Sequence, residues 1–396
     1  MSKTNSKSLL KRRGTSFLFF FWLGLFVISP SLWAVDITES INKGLAYLAS
    51  MQNDDGGFPS DKGRPSSPMV TDWVVMALRA ADEDVTGANW SKNGVNPWTY
   101  LAKETRPLEG TTDYARTLLA LNAVGNEPSY QGVDLAEKLA SFQLPHGQFA
   151  QSAWGEEGLI NCHIWSVLAL VAVEKEIPHQ ERVLAWLVSQ QNSDGGFSWV
   201  VGGESDPDDT GVALSALAVL GLTKEDVVIK KALQYLQEQQ NKNGGFGWTK
   251  QKTNTATDAW VIQGLAAVGE DSTSDKWQVE GISPVVHLCS LQNSDGSFQW
   301  MQGVDSSPVL MTAYAVLALS GSSFPVNLTD KVALSLPNNL SREEKGEVAG
   351  QEEEFVLLLK KVSQNFRRLL QTLFIEQISN PFSYLLSPFL GGGIKN

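Results

Sequence analysis

Apolar residues recur at helical spacing in short segments along this chain, and the segments alternate in kind. Ile41 to Gln52 places Leu45, Leu48 and Met51 on one face, the pattern of an amphipathic helix. A polar loop with Pro59, Pro65 and Pro68 follows, and Thr71-Asp72 then reads as the cap of a more apolar helix, VVMALRAA. The pair repeats. Half-polar members are WTYLAKE at Trp98, LAEKLASFQ from Leu135, ERVLAWLVSQQ from Glu181, IKKALQYLQEQQ from Ile229 and PVVHLCSLQ from Pro284. The apolar members align on Leu78, Leu121, Leu170, Leu217, Leu265 and Leu319, at intervals of 43 to 54 residues. The residue before each leucine is small: Ala77, Ala120, Ala169, Ala216, Gly264 and Ala318.

A helix apolar on all sides must be buried, so the aligned set belongs inside and the half-polar set outside. An open stack of repeats needs polar end caps, and neither end of this array shows one. The pattern therefore predicts an all-α, closed ring of six outer and inner helix pairs, an α6/α6 toroid, over residues 35–321.

The flanks differ. Residues 1–34 have a basic start ending at Arg13, an apolar run from Phe17 to Ile28, and a candidate cleavage point at Ala34. They read as a signal peptide for export to the cell envelope or beyond; an uncleaved membrane anchor is the other reading. Residues 322–351 are polar and read as a linker. Residues 352–396 read as a tail whose helix over 352–378 carries Phe355, Leu358, Leu359, Val362, Phe366, Leu369, Leu370, Leu373 and Phe374 on one stripe, beside Lys360, Lys361, Arg367 and Arg368. That helix suits packing on the ring, membrane-surface contact or self-association.

The net charge of −12 falls to −17 without residues 1–34, which argues against nucleic acid or anionic lipid as partner. Cys162 and Cys289 are the only cysteines and would lie on opposite sides of the ring, too far apart for a disulfide. No metal set with usable spacing is present, and no cofactor is expected.

Five of the six helix pairs are joined by a variant of one sequence: QNDDGGF (Gln52 to Phe58), QNSDGGF (Gln191 to Phe197), QNKNGGF (Gln240 to Phe246), QNSDGSF (Gln292 to Phe298) and a worn QLPHGQF (Gln143 to Phe149). This repeat resembles those of squalene cyclases and of protein prenyltransferase β subunits, and the toroid of transcobalamin-type cobalamin carriers. The resemblance implies the terpenoid cyclase/prenyltransferase α/α-toroid fold. It leaves function open, because the second pair, at PLEGTTDY, lacks the Gly-Phe turn and the relatives differ in activity.

The sharpest candidate for chemistry is Asp206-Pro207-Asp208-Asp209-Thr210, which opens the fourth inner helix. It resembles the D-x-D-D-T of class II terpene cyclases. The resemblance implies Asp208 as proton donor, with Asp206 and Asp209 as flanking partners. Protonating an alkene needs a carboxylic acid kept neutral, and neighbouring carboxyls can share one proton. The competing reading is a helix cap, since aspartates at a helix start satisfy free N–H groups, and Asp72, Asp113 and Asp258 stand at related places. Trp73, Trp165, Trp260 and Tyr314 lie five residues before the aligned leucines, with Tyr114 nearby in the second pair. They are expected to line a cavity whose π faces suit an apolar ligand or a carbocation, or to form ordinary core. Against an enzyme stands the two-barrel build of squalene-type cyclases. Glu156-Glu157 reads as a solvated acid pair. Three functions remain: an exported toroid binding an apolar, isoprenoid- or corrinoid-like small molecule; a class II terpene-cyclase-like enzyme using Asp208; and a packed ring that binds proteins.

Overall fold

In a computed structural model, residues 36–103, 106–125, 128–151, 158–248 and 252–325 are described. The signal, most of the linker, the amphipathic tail and Glu156-Glu157 lie outside these residues.

Local chemistry starts the helices. Asp36, Asp134, Asp206, Asn254 and Ser283 accept a hydrogen bond from a backbone N–H of the following turn, and Pro68, Pro207, Pro284 and Pro308 occupy first-turn positions that need no donor. The outer helices are α1 (Ile37–Met51), α3 (Pro97–Lys103), α5 (Leu135–Ala140), α7 (Gln180–Ser189), α9 (Val227–Gln239) and α11 (Pro284–Ser290). The inner helices are α2 (Pro68–Ala80), α4 (Thr111–Ala123), α6 (Ile160–Ala172), α8 (Pro207–Val219), α10 (Thr255–Ala267) and α12 (Pro308–Leu319). A short hairpin, β1 (Ser129–Tyr130) and β2 (Val133–Asp134), precedes α5. Each inner helix packs on the next, and α12 packs on α2, which closes the all-α toroid. Every residue of α6 is buried, and α2 is nearly so.

The recurring turn is scaffold in almost every atom. Its glutamine donates to its own turn and to the neighbouring repeat: Gln52 Nε2 to Gly56 O at 3.0 Å and Trp90 O at 2.8 Å, Gln191 Nε2 to Gly195 O at 2.9 Å and Val228 O at 2.7 Å, Gln240 Nε2 to Gly244 O at 2.8 Å and Trp277 O at 2.9 Å. In the last repeat the same clamp closes the ring, from Gln292 Nε2 to Ser40 O at 2.8 Å. Gly296 has φ +92°, and a Cβ there would stand 2.3 Å from Lys43 O, so glycine is required where the sixth repeat meets the first.

The Phe N–H of each turn is held by a side chain seven residues before the aligned leucine. Phe58 donates to Thr71 Oγ1 at 2.9 Å, Phe149 to His163 Nδ1 at 3.1 Å, Phe197 to Thr210 Oγ1 at 2.9 Å, Phe246 to Asp258 Oδ1 at 2.6 Å and Phe298 to Thr312 Oγ1 at 3.0 Å. This corrects the expected cap at Thr71-Asp72. Ser67 is the N-cap of α2, and Thr71 lies inside the helix anchoring Phe58.

Small residues let inner backbones touch, most of all between α8 and α10. A Cβ on Gly264 would stand 2.2 Å from Gly211 O, and one on Gly211 would stand 2.7 Å from Trp260 O.

Candidate functional site

The inner helices run parallel, and their second turns meet on the ring axis. Trp73 packs on Trp165 (5.5 Å between centroids), Trp260 (5.4 Å) and Tyr314 (5.2 Å), all edge to face. Trp165 and Trp260 are 5.7 Å apart, and Trp260 and Tyr314 4.6 Å. Four of the five expected aromatics are thus brought together, but they pack on one another, so at this level the ring is filled. Tyr114 is not among them: its ring lies against Phe142 at 5.5 Å. It stands seven residues before its leucine, not five, so it points elsewhere. The position in register is Arg116, and in the fourth repeat it is Val212.

The acidic run sits one helical turn above this level. Asp208 and Val212 are four apart on α8, so they share the axis-facing side. Asp206 is the N-cap and accepts from Asp209 N at 2.8 Å, and Thr210 anchors Phe197. The cap reading is therefore correct for Asp206 and does not extend to Asp208. Asp208 Oδ1 is buried with no hydrogen-bond partner among the described residues. Burial, then the Asp206 charge, pushes Asp208 up to about 7, against a hydrogen bond from Thr257 that lowers it. Burial also pushes Asp209 up to about 7. Burial, the Asp209 charge and a hydrogen bond to Asp209 hold Asp206 well above the usual carboxylate range. Three carboxyls this close cannot all ionise at neutral pH, so the cluster retains protons. Tyr314 feels the same field: burial raises its hydroxyl, Arg116 lowers it and Asp208 raises it.

The three comparison aspartates do other work. Asp72 and Asp113 flank Arg116, with Nε 3.1 Å from Asp72 Oδ2 and Nη2 2.7 Å from Asp113 Oδ1. This ion cluster is fully buried, and burial pushes Asp72 up to about 6 although Arg116 opposes it. Asp258 is tied to Phe246 N and to His287 Nδ1 at 2.5 Å. Burial lowers His287, but the Asp258 carboxylate outweighs it and the net shift is upward. Burial drives His163 down to about 3, so it is neutral. Neither Cys162 nor Cys289 forms a disulfide. Among the described residues no group of three or more His, Cys, Asp or Glu could hold a metal.

Sequence reasoning missed two features. Arg116 was signalled by its register with the aromatics. Trp199, Trp248 and Trp300 each follow a turn Phe by two residues, on the rim that carries Asp208. Trp199 is 44% and Trp248 40% exposed, whereas Trp300 is buried.

The model of the prenyltransferase α/α-toroid domain matches residues 114–258 and 248–347, more than half of the chain. Among solved structures, the type II terpene cyclase MstE from Scytonema superposes with a TM-score of 0.52 at 17% identity, covering 72% of this chain and 97% of that one. A variant of that enzyme in complex with its substrate, geranylgeranyl dihydroxybenzoate, gives 0.51 at 16% identity, covering 72% and 96%. At such identity the likeness is one of fold. No curated protein sequence matches the chain. With the family model matching more than half of the chain, and the ring closed from Gln292 to Ser40, the chain belongs to the prenyltransferase α/α-toroid domain family.

Proposed function

We propose that this toroid is a type II terpene-cyclase-like enzyme, with Asp208 as the acid that starts cyclisation of a polyprenyl substrate. The observation that carries this is the placement of the Asp208 carboxyl: Oδ1 is buried with no partner among the described residues, one turn above a cluster of indole faces, in a group that burial pushes up to about 7. The Asp208 O–H bond breaks as a new C–H bond forms at a terminal alkene carbon, leaving a tertiary cation. Internal alkenes then attack in turn. Loss of a proton from the last cation to water completes an isomerisation that needs no oxidant. The Asp208 carboxylate regains its proton through Asp206 and Asp209, all three residues being half-buried. Trp73, Trp165, Trp260 and Tyr314 supply π faces for the moving charge. A single ring is no obstacle, since one spanning nearly the whole of a type II terpene cyclase has this fold. An apolar, isoprenoid-like small molecule is accordingly the proposed ligand, and residues 1–34 the proposed export signal.

The second reading, a packed ring that binds proteins, is favoured by the mutual contact of the axial aromatics. Incubating the protein, without residues 1–34, with geranylgeraniol and geranylgeranyl-arene substrates separates the two. Cyclised isomers of unchanged mass are expected, and their loss in Asp208→Asn. No turnover of any polyprene, with no binding, would favour the packed ring.

A further inference from the structure

The fifth repeat departs from its relatives at four positions that meet in space. In the first and fourth repeats a serine hydroxyl, Ser66 or Ser205, donates to an aspartate of the turn, Asp55 at 2.7 Å or Asp194 at 2.8 Å. A threonine, Thr71 or Thr210, anchors the turn Phe. A tyrosine of the following outer helix, Tyr100 or Tyr235, packs against the second glycine, where a Cβ on Gly57 or Gly196 would meet it at 2.8 or 2.9 Å. In the fifth repeat these four places hold Thr253, Asn243, Asp258 and His287. The new set is joined end to end. Thr253 Oγ1 lies 3.1 Å from His287 Nε2, and His287 Nδ1 lies 2.5 Å from Asp258 Oδ2. Asn243 Nδ2 stands 2.9 Å from Thr253 Oγ1 and 3.1 Å from His287 Nε2. Asp258 and His287 are buried, Thr253 is half-buried and Asn243 is exposed, so the relay starts in the interior and ends on a hydroxyl that solvent reaches.

We propose that Thr253, His287 and Asn243 form a second reactive site, a threonine nucleophile that hydrolyses small aryl or short-chain carboxylic esters. The Asp258 carboxylate, itself held by the Phe246 N–H, keeps the imidazole proton on Nδ1 and leaves Nε2 as the base facing the hydroxyl. Asp258 is thereby a positioning residue and remains structural. The bond from Thr253 Oγ1 to the ester carbon forms as His287 Nε2 takes the hydroxyl proton. That proton passes to the leaving alcohol as its C–O bond breaks. Water then repeats the step on the acyl-threonine, releasing the acid and restoring the hydroxyl. Asn243 Nδ2 donates to the oxyanion, a task that an ionised aspartate at this place in the other turns cannot perform. The exposed indole of Trp248 belongs to the same loop, with Lys252 Nζ 5.7 Å from its ring centroid. A Cβ on Gly247 would clash with Lys252 O, so the two ends of the loop touch, and an aryl group on the ester finds a π face beside the hydroxyl. None of these residues belongs to the acidic run, so this site stands or falls apart from the cyclase reading.

The probe is p-nitrophenyl acetate. The full chain should hydrolyse it above the buffer rate. General-base catalysis contributes about 10²–10⁴-fold, so Thr253→Val should lower that excess at least about tenfold. Thr253→Ser, the residue of the first and fourth repeats, should keep it. Asn243→Asp restores what the first, fourth and sixth turns carry at this place (Asp55, Asp194 and Asp295), so the scaffold accepts it. It should keep the melting curve and lower kcat at least about tenfold, whereas a merely structural Asn243 would leave kcat unchanged. An alkyl fluorophosphonate gives an independent readout: its P–F bond breaks as the bond from Thr253 Oγ1 to phosphorus forms, fluoride and the proton leave, and the adduct mass should appear on the peptide containing Thr253. This labelling uses the unmodified chain and carries the test if Thr253→Val does not fold. No hydrolysis above the buffer rate, hydrolysis that survives Thr253→Val, or no adduct on Thr253 overturns the site.

Discussion

Two adjacent inner helices, α8 and α10, begin with aspartates at nearly the same place, touch at Gly211 and Gly264, and use those aspartates in opposite ways. In α10, Asp258 anchors the Phe246 N–H and pairs with His287, so both oxygens are occupied. In α8 the anchoring task falls to Thr210, which holds Phe197. Asp206 takes the cap, and Asp208, half-buried and hydrogen-bonded by Thr257, keeps a buried Oδ1 with no partner among the described residues. A buried polar group is costly unless partnered, so an unpartnered one that persists marks a place where stability is given up. The difference teaches that residue type and position do not distinguish a structural aspartate from a chemical one. Its partners do.

The largest effect should separate the two at once. Asp208→Asn is expected to lower cyclisation by roughly 10²–10⁴-fold, the usual contribution of a general acid, with an unchanged melting curve at pH 5. Loss of folding at pH 5 would make Asp208 structural, as Asp258 is.

His287→Ala should do the reverse. It leaves Asp258 buried without its cation and is expected to cost about 3–5 kcal/mol of stability, measured by urea unfolding. A loss well below 1 kcal/mol would mean that Asp258 is content with the Phe246 N–H alone.

The comparison also has a pH signature. Asp208 has a folded pKa of about 7, above its ordinary carboxylate value. A raised carboxyl contributes stability that is complete below the unfolded pKa and is lost as pH rises through the folded one. The wild-type chain should therefore lose Tm relative to Asp208→Asn between pH 5 and pH 8, with the variant the more stable at pH 8. Parallel Tm curves would show that Asp208 is already ionised at pH 5. Turnover should fall over the same window, because the protonated form is the reactant.

Much of the fold was legible because the repeat is scaffold: the glutamine and the glycine of the turn reach a neighbouring repeat and the Phe N–H anchors to its own inner helix, so their period is the period of the ring. Leu78 to Leu319 located the inner helices for the same reason, since a helix buried on all sides has little freedom in composition. The site was less legible. Tyr114 shares aromatic character with the axial cluster, but the register that defines the cluster falls on Arg116. Phe324, whose ring packs 5.3 Å from Trp165, lies beyond the last repeat, where no period reaches it. Thr71-Asp72 looked like a cap until Ser67 and Pro68 were seen to start α2 four residues earlier. The state of Asp208 is set first by burial, then by Asp206, with Thr257 and Asp258 on α10 beside it; of these, only Asp206 is written in the local run of residues.

The smallest effect tests the division of labour within the acidic run itself. Thr210→Val keeps the shape of the side chain and removes the oxygen that accepts from Phe197 N and donates to Asp206 O at 2.7 Å. One buried N–H is then unsatisfied, so the expected loss is about 1–3 kcal/mol, read from urea unfolding. Cyclisation per folded molecule should change little, since Asp206 still caps the helix and Asp208 keeps its burial. A drop in turnover as large as that of Asp208→Asn would place Thr210 in the chemistry. The boundary between scaffold and acid would then run between Asp206 and Asp208 rather than between Asp209 and Thr210.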